Sequence, residues 1–435
     1  MKTVAFHTLG CKLNFAETSA VGRQFLEAGF SKVDFPGAAD VYVINTCSVT
    51  EQANKTCRRI IRQALKHNPG GYVIVIGCYA QLKPKEISEI PGVDLVLGAG
   101  DKFRILELVE RFEKTEHACV HNSQIDEVNQ FVHAFSVGDR TRAFLKIQDG
   151  CDYKCSFCTI PLARGQSRSD RMDNILNNAR HLADRNIKEI VLTGVNTGDY
   201  GQGLDTDEKF VDVVRNLDAL PEMTRLRVSS IEPNLLTNEI IEYVAESQHF
   251  MPHFHVPLQS GSNELLRLMR RRYKRELYAD RVATIKRLMP HACIGVDVIV
   301  GFPGETEAHF EETYRFLTDL DISYLHVFPY SERENTHALT LPGVVPVKER
   351  QARSARLRIL SDKKRRHFYR QFVGEVRPVL FEGKKQEGLM HGFTDNYIKV
   401  VAPYQEDWVN TIQPMALKEV LPDGLMQAQP VLVEI

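Results

Sequence analysis

The chain predicts an α/β protein in three parts: an N-terminal doubly wound parallel-sheet domain, a central partial (β/α)6 barrel and a small C-terminal β-barrel. Three observations carry this. Short apolar runs alternate with helical stretches over the first hundred residues, six further strand signals begin at Arg142, and the end of the chain holds short strands punctuated by Gly and Pro. The same pattern sets the expected boundaries: a first domain over 1–114, a linker over 115–141, the barrel over 142–346, a connecting helix over 347–373 and the terminal barrel over 374–435.

In the first part the runs VAFHTL, DVYVINT, YVIVIG and DLVLGAG read as strands, with helices expected near Glu17–Ala28, Glu51–His67 and Pro84–Ile90. Strands alternating with helices give a parallel sheet covered on both faces. Cys11, Cys47 and Cys78 each follow one of these strands at its carboxyl end. A parallel sheet aligns those ends on one edge, where such folds place ligands, so the three thiols converge. Spacing alone leaves three unrelated buried thiols as the other reading. No G-x-G-x-x-G follows the first strand, which removes the usual support for a nicotinamide cofactor.

The segment 115–141 is polar and weakly periodic, hence the linker. Beyond it AFLKIQ, EIVLTG, RLRVSS, HFHVPL, IGVDVIVG and YLHVFPY form the six barrel strands. Their carboxyl ends carry polar segments, and the loop after the first holds Cys151, Cys155 and Cys158 in GCDYKCSFCTIP. The C-x3-C-x2-C spacing supplies three thiolates and no evident fourth ligand. A structural zinc site closes itself with four ligands, whereas a [4Fe–4S] cube on three cysteines keeps one iron open. The basic helix VKERQARSARLRILSDKKRRHFYRQF follows, and VRPVLFEG, YIKVVAP, LKEVLP and PVLVEI read as strands of the terminal barrel.

Composition narrows the class. The 435 residues allow two to four domains, and 55 Lys plus Arg against 56 Asp plus Glu leave a net charge of −1, so any anion-binding surface depends on local clustering. Neither a membrane-spanning run nor a signal-peptide layout is present, and cytoplasm is the expected compartment. There, nine cysteines are metal ligands or buried thiols rather than disulfides, and Cys57, Cys119 and Cys293 are read as structural.

The C-x3-C-x2-C loop, with Phe157 before its third cysteine, resembles the signature of radical S-adenosylmethionine enzymes. Together with TLGCKLNFAET and QDGCDYKCSFCTIPLARGQSRS, the chain resembles a radical S-adenosylmethionine methylthiotransferase over essentially its whole length. Within that family it is most similar to the branch modifying threonylcarbamoyladenosine in transfer RNA, since Lys12 and Leu13 stand where the isopentenyladenosine branch has a Gln-Met pair. The resemblance implies two [4Fe–4S] clusters, one on Cys151, Cys155 and Cys158 that cleaves S-adenosylmethionine to a 5'-deoxyadenosyl radical, and one on Cys11, Cys47 and Cys78 that holds the sulfur to be methylated. It implies a TRAM-like terminal barrel that binds RNA, a flavodoxin-type or ferredoxin-type reductant and a sulfur source.

By the same resemblance Thr193, Gly194 and Asn196 meet the cofactor's methionine end, Ser229 and Glu232 its ribose or sulfonium region, Gln259 lies on the same rim, and Gly301 and Gly304 shape the turn behind the adenine. Several of these have plainer readings: a Gly/Asn-rich turn for 193–196, a helix-dipole acid for Glu232, and first-turn helix acids for Glu305 and Glu307. Three basic runs are candidates for RNA phosphates: Lys55, Arg58, Arg59 and Arg62; Arg267, Arg270, Arg271, Arg272, Lys274 and Arg275; and Lys348–Arg370, with ten basic residues against two acidic. The aromatics Phe381, Phe393, Tyr397, Tyr404 and Trp408 either stack on bases or fill the terminal core. Residues reading the threonylcarbamoyl group are expected between the barrel and the first domain, because the base must reach both clusters. The competing readings are a methylthiotransferase for isopentenyladenosine or for a ribosomal-protein aspartate, a non-enzymatic iron–sulfur redox sensor, and a zinc-binding RNA chaperone.

Overall fold

The computed structural model describes residues 1–48, 50–138 and 141–431. The first unit runs β1 (Thr3–Thr8), α1 (Lys12–Glu27), β2 (Ser31–Val33), β3 (Val41–Thr46), α2 (Glu51–His67), β4 (Tyr72–Gly77), α3 (Cys78–Leu82), α4 (Pro84–Ser88), β5 (Leu95–Leu97), α5 (Ile105–Leu108) and β6 (Cys119–His121). Its sheet has the order β2-β1-β3-β4-β5-β6, and every pairing is parallel. β3 and β4 are buried along their whole length, which is why they read as unbroken apolar runs.

The central unit comprises β7 (Arg142–Lys146), β8 (Gln148–Asp149), α6 (Ile160–Arg164), β9 (Arg168–Ser169), α7 (Met172–Asp184), β10 (Glu189–Thr193), α8 (Phe210–Asp218), β11 (Arg225–Val228), α9 (Asn238–Glu246), β12 (His253–His255), α10 (Asn263–Leu268), α11 (Arg275–Leu288), β13 (Cys293–Val300), α12 (Glu307–Asp319) and β14 (Tyr324–Pro329). Six of its strands form two three-stranded parallel sheets, β7-β10-β11 and β12-β13-β14, joined by a parallel bridge between Ser230 and His255, while β8 and β9 pair antiparallel. The six expected barrel strands are therefore present as an open half-barrel. Alternation decides their two faces: Ile190, Leu192, Leu226, Val296 and Val298 pack outward in the main core under the helices, while charged residues such as Arg142, Arg227 and Asp297 interleave with them and face inward.

α13 (Val347–Arg370) then straps the barrel to a closed antiparallel-rich barrel of β15 (Val376–Phe381), β16 (Leu389–Thr394), β17 (Lys399–Pro403), β18 (Ile412–Val420) and β19 (Met426–Pro430). The last described strand is β19, and most of the strand expected over PVLVEI, residues 432–435, lies outside the described residues.

Three features depart from the sequence reading. β2, β6 and β16 were not expected: the first two are three-residue edge strands with no periodicity to read, and β16 is interrupted by Gly392. The segment 115–141 does more than connect, because β6 extends the sheet and Phe135 bridges Leu145. Half of the ten basic residues of α13 are spent internally, since Arg350 pairs with Glu332, Arg353 with Glu305 and Glu307, Arg356 with Glu307 and Glu311, and Arg365 and Arg366 with Asp362.

Candidate active site: two cysteine triads across a domain junction

The first triad is built by strand ends. Cys11 caps α1 after β1, Cys47 follows β3, and Cys78 opens α3 after β4. Two glycines allow the close approach. Gly10 has φ +98°, and a Cβ there would stand 2.8 Å from Cys47 Cβ; Gly77, also at φ +98°, would place one 2.5 Å from the Thr46 carbonyl. Burial pushes the Cys78 thiol up, with Cys11 adding to it and Arg164 pulling it down.

The second triad lies in the loop after β7. The Tyr153 amide donates to Cys151 Sγ and the Ile160 amide to Cys158 Sγ, each at 3.4 Å, and Arg271 Nη1 donates to Cys155 Sγ at 3.2 Å. Burial drives the Cys151 and Cys158 thiols up to about 12, with the neighbouring cysteines adding to it. These cysteines sit close together in low dielectric, an arrangement that favours thiolate only with a cation bound.

The described groups of His, Cys, Asp and Glu whose ligand atoms all fall within 4.8 Å of one another reduce to His255, Asp297 and His326. Each cysteine triad is more open than that. Each triad offers three thiols, the donor set of a cube that keeps one iron open, whereas a structural zinc site closes itself with four ligands.

Between the triads lies a buried network that the sequence reading missed. Glu17 of α1 meets Lys102 Nζ at 2.7 Å, Lys146 Nζ at 3.2 Å and Arg164 Nη1 at 3.0 Å; Asp149 meets Lys146 at 2.7 Å, Arg164 at 2.8 Å and Arg168 at 3.2 Å. Arg164 Nη2 also donates to Asn14 Oδ1 at 2.6 Å. Burial opposes both charged carboxyls, yet the cations hold each of them below its ordinary range. Four cations against two carboxylates leave positive charge beside Cys78, which suits the anionic sulfurs of a cluster. Only Glu17's place in TLGCKLNFAET and Arg164's in PLARGQ hinted at this, because Glu17 stands 85 to 147 residues from its partners.

The rim residues divide. Asn196 and Ser229 are buried, and Asn196 Nδ2 and Ser229 Oγ have no hydrogen-bond partner among the described residues, so both offer polar groups to a ligand. Glu232 is ion-paired to Arg271, the donor to Cys155, so the helix-dipole reading of Glu232 gives way to a Cys155–Arg271–Glu232 chain. Phe157 packs with Phe302, ring centroids 6.4 Å apart, as a wall beside the second triad.

Other expected contacts are spent on the scaffold. Thr193 Oγ1 donates to the Val191 carbonyl at 3.0 Å, and a Cβ on Gly194 would meet Gln148 Oε1 at 2.8 Å. Gln259 adopts φ +70° and its backbone extends the β13 ladder, through its amide to Asp297 O at 2.8 Å. Gly301 lies under Arg350, whose Cγ a Cβ would meet at 2.2 Å. Gly304 donates to the Gly343 carbonyl at 2.8 Å; Glu305 is buried, accepting from the Gly301 amide at 2.5 Å and pairing with Arg353 at 2.7 Å, so it is not simply a first-turn acid, while Glu307 opens α12 as one.

This architecture defines a radical S-adenosylmethionine enzyme. The sequence profile of the radical SAM superfamily matches residues 145–317, and that of uncharacterized protein family UPF0004 matches residues 3–98. The chain belongs to the methylthiotransferase family. It is 44% identical to the threonylcarbamoyladenosine tRNA methylthiotransferase MtaB of Bacillus subtilis over 95% of this chain and 93% of the relative, and 38% identical to that of Aquifex aeolicus over 91% and 96%. It is 30% identical to the tRNA-2-methylthio-N(6)-dimethylallyladenosine synthase of Methylacidiphilum infernorum over 96% and 93%. Among solved structures, the radical S-adenosylmethionine methyltransferase TsrM of Kitasatospora setae, with cobalamin and a [4Fe–4S] cluster bound, shares the fold at TM-score 0.55 and 14% identity, covering 91% of this chain and 82% of that one. The family uses S-adenosylmethionine and [4Fe–4S] clusters.

Proposed function

We propose that this chain methylthiolates C2 of N6-threonylcarbamoyladenosine in transfer RNA, at the position next to the anticodon. The observation that carries the reading is the pair of cysteine triads on either side of one buried junction, in a chain 44% identical to a protein named for that reaction. Cys151, Cys155 and Cys158 would hold the cluster that binds S-adenosylmethionine, and Cys11, Cys47 and Cys78 the second cluster. The bound groups supply the hydrogen abstraction, the sulfur and the methyl group, chemistry no side chain provides.

The chain's own residues do the rest. Arg271 fixes the Cys155 sulfur and anchors Glu232 on the rim. Asn196 Nδ2 and Ser229 Oγ present hydrogen-bonding groups that buried polar atoms must satisfy. The Glu17–Asp149 network locks the first unit against the barrel and excludes water between the triads.

Transfer RNA would be met by cations without an ion partner among the described residues: Lys55, Arg59 and Arg62 on α2, and Arg267, Arg270 and Lys274 around α10. Phe393 and Tyr397 face the barrel, stacked on each other at 4.8 Å, and so are not free for bases. The reaction also takes a reductant, such as a flavodoxin-type or ferredoxin-type donor, and a sulfur source. No described helix is long and apolar enough to cross a membrane, and we place the reaction in the cytoplasm with its substrate.

Nucleoside mass spectrometry tests this. Anaerobically reconstituted protein with S-adenosylmethionine, sulfide and reductant is incubated with transfer RNA bearing either threonylcarbamoyladenosine or isopentenyladenosine. A methylthio product on the first alone is expected; product on the second alone would overturn the substrate, and product on neither would overturn the function.

A further inference from the structure

A cavity of about 190 Å³ opens between the first turn of α1 and the inner face of the barrel. Among the described residues three cations line it, Lys12, Arg142 and Arg227, and no carboxylate does. Two of them are already matched: Arg227 Nε lies 2.9 Å from Glu189, and Arg142 Nη2 lies 3.1 Å from Glu382. Lys12 makes no hydrogen bond or ion pair with any described residue. Among the described residues the charged groups facing it are Arg142, Arg227 and Asp297, with the Cys11 thiol beside them; Asp297 is held by His255 at 2.9 Å and stands beyond ion-pair reach of Lys12. An enclosed ammonium surrounded mainly by other cations is costly unless a ligand brings an anion to it.

The proposed substrate brings such an anion. The threonylcarbamoyl group ends in a carboxylate, and its attachment carbon, C6, is separated from C2 by a single ring nitrogen. A base presenting C2 to the triads therefore carries its N6 substituent only a few ångströms away, and Lys12 is the residue next to Cys11. We propose that Lys12 binds the threonyl carboxylate inside this cavity and thereby selects the carboxylate-bearing adenosine. The inference rests on the threonylcarbamoyladenosine reading above. Arg142 and Arg227 contribute field rather than contact, because both are ion-paired with Glu189, Arg142 also donates to Glu382, and Arg227 donates to carbonyls of the terminal barrel.

The test uses full-length reconstituted protein and anticodon stem-loop RNA carrying threonylcarbamoyladenosine as the free acid or as its methyl ester, so that every backbone phosphate is shared. Binding is read by fluorescence anisotropy, which needs no turnover, beside kcat/KM for product. Wild-type protein is expected to prefer the acid by about 10- to 100-fold, the span of a hydrogen-bonded charge pair. Lys12→Met is expected to lose that factor on the acid and nothing further on the ester, with Lys12→Arg restoring the preference. An acid-to-ester ratio unchanged by Lys12→Met overturns the assignment, as does an equal loss on both RNAs, which would place Lys12 on a phosphate or on the neighbouring iron site. Wild-type protein that forms no methylthio product on the acid RNA while retaining acid preference removes the proposed reaction and leaves the carboxylate site standing.

Discussion

Arg271 joins two sites that the sequence presents as unrelated: it donates to Cys155 Sγ at 3.2 Å and pairs with Glu232, with its own side chain 4% exposed. Replacing it with Met leaves Glu232 half-enclosed without a cation, and the apo protein is expected to lose about 1–3 kcal/mol in urea denaturation. Lys in its place should recover only part, since an ammonium cannot reproduce a two-pronged guanidinium contact. Gly10 acts at the other triad. A Cβ at φ +98° and 2.8 Å from Cys47 Cβ forces Cys11 and Cys47 apart, so Gly10→Ala is expected to hold about four irons per chain where the wild type holds about eight, by iron assay after anaerobic reconstitution. The cysteines were legible as residues because their spacing is short or their strand ends are obvious. Arg271 was legible only as one member of a basic run, because nothing local distinguishes a guanidinium bound to sulfur from one in solvent.

At the scale of elements, α1 matters most. Its start was expected near Glu17, yet it begins at Lys12, directly on Cys11, because the cysteine stands in extended backbone as its N-cap. The five extra residues carry Lys12 to the cavity and Asn14 to Arg164. α2, by contrast, was readable to the residue, since Thr50 caps it by accepting from the Ala53 amide at 3.2 Å and its apolar stripe is periodic. The network on α1 predicts a pH signature. Glu17 and Asp149 titrate below their ordinary values of 4.5 and 3.8, so their charged forms stabilise the fold wherever the unfolded chain is also ionised. That contribution is full above about pH 5 and declines as acid reprotonates the folded carboxyls. Glu17→Gln is therefore expected to cost about 3 kcal/mol at pH 7, because it strands Lys102 in the interior and leaves Lys146 and Arg164 with Asp149 as their one carboxylate. The gap between variant and wild type should narrow below about pH 4 in denaturation curves taken across pH. A gap independent of pH would mean the network stabilises by packing alone.

Across the whole molecule, the terminal barrel serves the central one as a lid on its amino-terminal end. Arg225 donates to Pro378 O at 2.8 Å, Arg227 to Asp395 O at 2.9 Å and Thr394 O at 3.0 Å, and Asn396 Nδ2 to His291 O at 3.1 Å, while Tyr397 stacks on His253 at 4.0 Å. Cys293 of β13 sits in one apolar cluster with Phe368 and Phe372 of the strap region and with Val379, Met390 and Ile398 of the terminal barrel. Sequence periodicity revealed each body but not this shared core, because its contacts join residues 70 to 170 positions apart through side chains that would suit an isolated core equally well. A terminal module that merely recruited RNA could be deleted without disturbing the barrel. The shared core predicts the opposite: removing residues 374–435 uncovers Cys293 and leaves Arg225 and Arg227 without their carbonyl acceptors. In the intact chain burial pushes the Cys293 thiol up to about 12, so it should alkylate slowly at pH 8. Peptide-mapped alkylation of the apo protein should find Cys293 labelled at least tenfold faster in residues 1–373, with a lowered thermal transition. An unchanged rate together with an unchanged transition would instead make the terminal barrel an independent appendage.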